Sequence, residues 1–366
     1  MRPVLAFDAR FLATGIGRYT EQLLEGLRKT LCGVDLWCIS HPRNAKRLMV
    51  NADRFIPCSE AMYSPAAQFS IPARVRGATL LHCPHYDIPV LYRNPLSVTI
   101  HDITHLLDPA FRNTLKSRLF AKLLLQTAVK KAQRIITISQ YSKQMIVEHL
   151  GADEEKIDVI YRYASPIFTP MPIDEAKKAV RDQLGLEREY FLFVGRPKEN
   201  KNLPVLFKAF ALLRSRIRDV PQLVLIGKDE KNEPSLRKLA AQLDIEADVR
   251  WIDFVSDELL RACYSSAEAT ILPSRQEGFG LPVIEAMACG SPVICADAAS
   301  LPEIAGGCSL LFDPASPEEC SEQLFRVIGS ALRAQLREKG LARARCFDGK
   351  RLVDEHAQLF RAILEA

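Results

Sequence analysis

The sequence predicts an α/β protein of two domains built from repeated βαβ units. Three observations predict it. The chain has 366 residues, enough for two domains that each bury a core. Short apolar runs alternate with amphipathic stretches, which is the pattern of repeated βαβ units. In each half, glycine and charged residues follow a buried strand, the place where open parallel sheets hold their ligands.

The elements follow in order. Pro3–Phe7 reads as a buried strand with Asp8 near its end. Thr14-Gly15-Ile16-Gly17-Arg18-Tyr19 comes next, then an amphipathic helix from about Thr20 to Lys29. Strand, glycine loop and helix open a nucleotide-binding unit, and Gly15 and Gly17 let the backbone approach a ligand closely. Thr20 stands where a dinucleotide fingerprint has its third glycine, so that motif is excluded. Leu36–Ser40 is the second strand. Residues 42–72, with Pro57, Pro65 and Pro72, read as an irregular functional loop. Thr79–Cys83 is a strand running into His82-Cys83-Pro84-His85-Tyr86; these histidines are strand-end residues or face an acceptor. Leu96–Ile100 is a central strand with His101 and Asp102 at its carboxyl end.

Residues 111–134 read as one long basic amphipathic helix. Lys116, Arg118, Lys122, Lys130, Lys131 and Arg134 interleave there with Leu115, Leu119, Phe120 and Leu123–Leu125. Such a helix either lies on an anionic membrane or packs its apolar side on a core. Ile135–Ile138 is the next strand, and Ser139 or Ser142 caps the helix after it. Ile157–Tyr161 is the last strand of the first domain, which spans 1–166. The proline-rich residues 165–172 form the linker.

The second domain, 173–349, begins properly at the strand Tyr190–Val194, followed by Gly195-Arg196-Pro197-Lys198-Glu199-Asn200-Lys201-Asn202. The helix Leu203–Arg214, the strand Gln222–Ile226 and the helix Glu233–Leu243 continue the βαβ alternation. After residues 249–255 comes a helix at Glu258–Ser265, with Ala269–Leu272 leading into the next stretch. Ser274 to Val293 then reads as loop, short helix, turn and strand. Gly278 and Gly280 free the backbone, Pro282 suits a first helical turn, and Gly290 stops the helix. The helix start is therefore a phosphate site, bracketed by Glu277 and Glu285 with seven residues between. Complementing the helix dipole is the alternative role for Glu285. Val293–Ala296 is a strand, Leu301-Pro302-Glu303 a turn, and Asp313-Pro314 closes another strand. A final helix covers about Gly349 to Glu365.

The run from Glu277 to Val293 resembles the E-x7-E motif of retaining glycosyltransferase family 4, in its form EGFGLPxxEAMAxGxPV. The Gly15-to-Tyr19 loop, the VTIHD segment ending at Asp102, Gly195-Arg196 with Lys201, and Leu301-Pro302-Glu303 are similar to the same family. The resemblance implies a GT-B fold, with two Rossmann-like domains facing across a cleft and a C-terminal helix, about 350–366, crossing back to the first. It implies that the first domain binds the acceptor and the second a nucleotide-sugar donor. Arg196 and Lys201 would then clamp the diphosphate with the backbone of Phe279, Gly280 and Leu281. Glu285 would hold the ribose, while Glu277 and His101 would hold the sugar. Gly15, Gly17 and Gly195 would let the backbone close on the donor. Asp253 replaces a glycine the family usually has where it meets the base. VTIHDITHLLDP is similar to bacterial members that use GDP-mannose for surface polysaccharide, so GDP-mannose leads as donor and a glycan or polyprenyl-linked glycan as acceptor.

Negative charge grows on the departing diphosphate as the anomeric bond breaks. Cationic side chains and helix N–H groups stabilise it without a metal. The sequence holds no D-x-D pair, so neither metal nor other cofactor is expected. Ten cysteines without a C-x-x-C pair read as reduced and buried in a cytoplasmic protein. The start does not read as a signal peptide, and no uncharged apolar run suffices to span a bilayer. Residues 1–170 carry 22 Lys and Arg against 14 Asp and Glu, while the remainder is slightly acidic. That asymmetry points to an anionic partner for the first domain, in keeping with peripheral contact at the inner membrane face through 112–134. No nucleic-acid motif accompanies the charge. A nucleotide-sugar isomerase and a non-catalytic sugar-nucleotide sensor remain as alternatives to a transferase.

Overall fold

Thirteen strands, all in parallel pairs, form two sheets in the computed structural model, which describes residues 2–12, 15–107 and 115–365. Thr14 and the first residues of the 111–134 helix lie outside the described residues, as does the side chain of Lys116. The first unit takes the chain up to Tyr161 and again from Gly349; the second runs from Arg162 to Asp348.

In the first unit the strands are β1 (Val4–Asp8), β2 (Asp35–Ser40), β3 (Arg54–Pro57), β4 (Leu80–Cys83), β5 (Leu96–Thr99), β6 (Arg134–Thr137) and β7 (Ile157–Val159). Their order is β3-β2-β1-β4-β5-β6-β7. β1 is buried along its whole length, as a parallel strand covered on both faces must be. The helices are α1 (Gly15–Thr30), α2 (Ala45–Leu48), α3 (Pro65–Arg74), α4 (Thr104–Leu107), α5 (Leu115–Lys131) and α6 (Gln140–Leu150). Ser139 caps α6, its side chain accepting from the Ser142 amide, and Gly151 ends the helix in the left-handed region.

The second unit holds α7 (Ile173–Leu184), β8 (Tyr190–Val194), α8 (Leu203–Arg216), β9 (Gln222–Ile226), α9 (Glu233–Gln242), β10 (Val249–Ile252), α10 (Asp257–Ser266) and β11 (Ala269–Leu272). It continues with α11 (Leu281–Ala288), β12 (Val293–Ala296), α12 (Leu301–Ala305), β13 (Leu310–Phe312), α13 (Pro317–Val327) and α14 (Ala331–Ala344). Its strand order is β10-β9-β8-β11-β12-β13. In each sheet the order reverses beside the first strand, between β1 and β4 and between β8 and β11. Ligands enter open sheets at the carboxyl ends of such strands.

The last helix, α15 (Gly349–Glu365), belongs to the first unit and packs on α1. Gly26 makes this possible, since a Cβ there would lie 2.2 Å from Cγ2 of Val353. Val353, Ala357, Phe360 and Ile363 recur at helical spacing and are buried.

Several expectations are corrected. Residues 42–72 are not irregular: they contain a short 3-10 turn, α2, β3 and most of α3. β3 is a four-residue edge strand beginning with exposed Arg54, too short to show alternation. α3 starts at Pro65, where no N–H is needed, and tolerates Pro72 within it. α1 begins at Gly15, so the predicted glycine loop is the first turn of the helix. A Cβ on Gly17 would stand 2.1 Å from the Leu12 carbonyl oxygen, which makes glycine obligatory for packing alone. Arg134 leaves the basic helix and opens β6, where it forks onto Asp158, Nε donating at 2.8 Å. Leu301-Pro302-Glu303 starts α12 and is not a turn. α7, α13 and α14 are additional helices.

Three histidines of the first unit, His82 and His356 buried and His85 half-buried, stay neutral. Desolvation lowers His82 well below its ordinary value, brings His85 to about 3 and His356 to about 4. The unfolded chain, titrating near 6.5, binds more protons than the folded one below that pH. Their contribution to stability is therefore complete above about pH 7 and is lost as pH falls from about 6.5 towards 4. Thermal midpoints should drop over that window, with a shallower slope in His85→Gln; a midpoint unchanged down to pH 4.5 would contradict neutral burial.

Candidate functional site

Two loops of the second unit are stitched together at the carboxyl end of its sheet. β8 ends in Gly195, at φ 140°, whose amide donates to the Ile226 carbonyl at 2.9 Å. Gly227, which follows β9, presses on it: a Cβ there would lie 2.3 Å from the Gly195 carbonyl oxygen. The chain then makes a 3-10 turn over Glu199–Lys201 before α8. Asn202 ends this turn in the left-handed region, with Nδ2 donating to the Pro314 carbonyl at 2.8 Å. The facing loop, 274–280, leads into α11. The Arg275 amide donates to the Asn200 carbonyl at 2.9 Å, and Asn200 Nδ2 donates to the Gln276 carbonyl at 3.0 Å.

This stitching brings Lys201 onto Glu277 as an ion pair, each side chain less than one-fifth exposed. Ser274 Oγ donates to the same carboxylate at 2.9 Å, and Ser300 Oγ holds the Glu277 carbonyl at 3.0 Å. The predicted phosphate cation and the predicted sugar carboxylate thus share one position, 76 residues apart in sequence. Arg196 is exposed and makes no ion pair among the described residues. With Lys198, Asn200, Asp229, Lys231 and Asn232 it lines a hollow of about 310 Å³.

The α11 start is shaped by packing. Gly280 caps it at φ 88°, and a Cβ there would meet Leu301 Cδ2 at 2.7 Å. Phe279 is buried, its ring edge-on to Phe347 at 5.8 Å. Leu281 opens the helix, whose first N–H groups have no partner within the helix itself. Glu285, on the following turn, is buried and accepts from Tyr264 Oη at 3.1 Å. Burial, then the neighbouring Glu285 charge, pushes the Tyr264 phenol well above its ordinary range, so it stays a donor.

In the first unit His101 follows β5, half-buried, with Nε2 donating to the Pro84 carbonyl at 3.1 Å. Gly15 and Gly17 lie in the first turn of α1. His82 is wholly internal, bridging Ser97 Oγ at 2.9 Å and Thr99 Oγ1 at 3.4 Å. His85 stacks on Phe11 at 4.5 Å and lies 4.0 Å from the ring of Tyr86. Arg10, not singled out in the sequence, is a buried cation beside the switch point. Its Nη2 reaches Asp8 at 2.8 Å and Asp87 at 3.3 Å, and Asp87 also accepts the Tyr63 amide at 2.9 Å. Asp-Ala-Arg at the end of a buried strand was its only signal. A larger hollow, about 540 Å³, lies between the β7 edge and α15, but its Arg134 and Asp158 satisfy each other.

Two family models match the chain: glycosyltransferase family 4 over residues 13–164 and glycosyl transferases group 1 over 175–343. The chain is 26% identical over 285 residues to the O-antigen chain mannosyltransferase B of Escherichia coli, covering 78% of this chain and 74% of that protein. It is 30% identical over 230 residues to the O-antigen chain mannosyltransferase RfbU of Salmonella typhimurium, covering 63% of this chain and 59% of the relative. Among solved structures, HepE of Anabaena in complex with UDP superposes with a TM-score of 0.77 over 98% of this chain and 100% of that one, at 18% identity.

Tyr264→Phe should remove this hydrogen bond to a buried carboxylate and destabilise the second unit by about 1–3 kcal/mol. Urea unfolding measures this; a variant as stable as the parent would mean that Glu285 is not held by the phenol.

Proposed function

The chain belongs to the group 1 and family 4 glycosyltransferases and has their GT-B fold, and on that footing we propose that it moves a hexose from a nucleotide-sugar to a hydroxyl of a glycan or lipid-linked glycan, with retention of configuration. The observation that carries this reading is the joining of the Glu199–Lys201 turn to the Glu277 loop, which sets a cation and a carboxylate beside the start of α11.

Breaking the anomeric bond leaves negative charge on the diphosphate. Arg196, Lys201 and the first N–H groups of α11 stabilise it in place of a metal. Lys201 meets the donor already oriented by Glu277, so phosphate competes with a carboxylate for it. Glu277 in turn receives sugar hydroxyls, and Glu285, fixed by Tyr264, takes the ribose diol. No side chain is assigned as a nucleophile. Mannose is the leading sugar, because the two relatives described are named mannosyltransferases, and the VTIHDITHLLDP resemblance makes GDP-mannose the donor to test first.

Calorimetry with GDP-mannose and other nucleotide-sugars tests the donor, and the product's anomeric configuration by NMR tests retention. Arg196→Ala should weaken donor binding by about 1.5–3 kcal/mol. Glu277→Ala, which releases Lys201 for the phosphate, should not weaken nucleoside diphosphate binding while lowering turnover by about 10²-fold. Turnover should persist in EDTA. Donor binding unchanged by Arg196→Ala, turnover unchanged by Glu277→Ala, or an inverted product would remove this reading.

The basic helix supports work at a membrane. α5 does not bury all its apolar residues: Leu119, Phe120 and Leu123 are 60%, 50% and 62% exposed, next to exposed Lys122 and on the same helix as Lys130. Apolar side chains flanked by lysines fit an anionic lipid surface. Among the described residues no helix is long and apolar enough to cross a membrane. Sedimentation with anionic vesicles should show binding that weakens with salt and with Leu119→Ser/Leu123→Ser. Equal binding by that double variant would place the contact elsewhere.

A further inference from the structure

α15 carries a wholly buried histidine that its docking does not require. Val353, Ala357, Phe360 and Ile363 already supply an apolar seam against the first unit. A buried imidazole adds little to such a seam, and an unmade hydrogen bond there is costly. The hydrogen bonds of His356 show what it is set up to do. Nδ1 lies 2.7 Å from the Leu352 carbonyl oxygen, which only accepts, so Nδ1 carries the proton. In the neutral ring Nε2 then holds the lone pair, and it lies 2.7 Å from Tyr19 Oη. Tyr19 must donate, which fixes its hydroxyl and the swing of its ring. That ring meets His101 edge-on, with centroids 5.2 Å apart and planes at 86°. On its other side His101 is tied through Nε2 to the Pro84 carbonyl.

We propose that His356 and Tyr19 are positioning residues that hold the imidazole of His101 in one orientation, so that the last helix of the chain sets a side chain of the sugar site. The inference rests on the reading of His101 as a donor-sugar contact. The three residues come from α15, α1 and the segment after β5, all within the first unit. The environment keeps the relay neutral: burial holds His356 near 4, and His82, which interacts with both His356 and His101, is itself held uncharged by desolvation. Neither residue touches the reacting atoms. Their effect is on orientation, where a small displacement lowers the rate while binding persists.

The test uses the full-length chain with a turned-over donor. His356→Leu removes the acceptor of the Tyr19 hydroxyl, while His356→Gln offers a carbonyl oxygen near the place of Nε2. His356→Leu should lower kcat by about tenfold, with donor KM and nucleoside diphosphate affinity within about twofold of the parent. His356→Gln should restore most of the rate. In a Tyr19→Phe background, His356→Leu should have no further effect on kcat, because the link it breaks is already absent. His101→Ala, measured in parallel, separates the two ideas. If His101→Ala leaves turnover normal, His101 is not in the sugar site and the inference falls with that reading. If it abolishes turnover while His356→Leu keeps parental kcat, the positioning role alone is overturned. Equal losses of kcat and melting temperature in the Leu and Gln variants would also overturn it, by showing that His356 only holds the helix in place.

Discussion

The ion pair between Lys201 and Glu277 is the interaction on which the second unit's site depends. Each partner alone would be an ill-placed charge, largely withdrawn from water at the end of a parallel sheet. Breaking such a pair leaves the survivor uncompensated, which costs more than the pair contributes when intact. The surrounding hydrogen bonds serve the same constraint. Asn200 binds the backbone of the facing loop, Ser274 shares the carboxylate, and Ser300 fixes the Glu277 carbonyl. The glycines at 195 and 227 let two strand ends come close enough for the turn to reach across. The result is a preorganised cation whose field is already partly balanced by a hydrogen-bonded carboxylate.

The first unit solves a different problem with buried polar groups. Arg10 lies between Asp8 and Asp87, and the histidines pack against Phe11, Tyr86 and Phe360 without carrying charge. Burial disfavours their protonated forms, and most of their hydrogen bonds are internal. Asp87 also holds the amide of Tyr63, a non-glycine residue at φ 58°, so an ionic cluster supports a locally strained backbone. The second unit instead places its charges at loop ends, where a ligand's phosphate would reach them.

The sheets and the motif residues were legible because local chemistry determines them. Strands such as Val4–Asp8 and Tyr190–Val194 are continuous apolar runs ended by an acid or a glycine, and Gly280-Leu281-Pro282 announces a helix start. The last helix was readable to the residue, because its apolar positions keep one period throughout. α13 was also legible in principle, since Ser316 and Glu319 have the S-x-x-E spacing of a helix start and the serine accepts the Glu319 amide. β3 was not, being a four-residue edge. Nor was the true start of α1, because two glycines argue against a helix until the Leu12 carbonyl explains one of them. Pairings between Lys201 and Glu277, or His356 and Tyr19, join residues far apart in sequence, and no periodicity encodes them. The buried Arg10 was illegible for a related reason: its second carboxylate, Asp87, arrives from the loop after β4.

The return of α15 to the first unit has a consequence for how the chain is made. A ribosome releases residues in order, and domains generally fold as they emerge. Among the described residues the second unit, Arg162 to Asp348, is one unbroken segment, complete once residue 348 is out. The first unit begins earlier but lacks its covering helix until residues 349–365 appear. Until then the faces of Tyr19, Leu23 and Leu27 on α1 have no lid, and an exposed apolar seam persists through the synthesis of nearly two hundred further residues. The unit that is translated first is therefore finished last, and the nascent chain is most open to aggregation or chaperone capture during that interval.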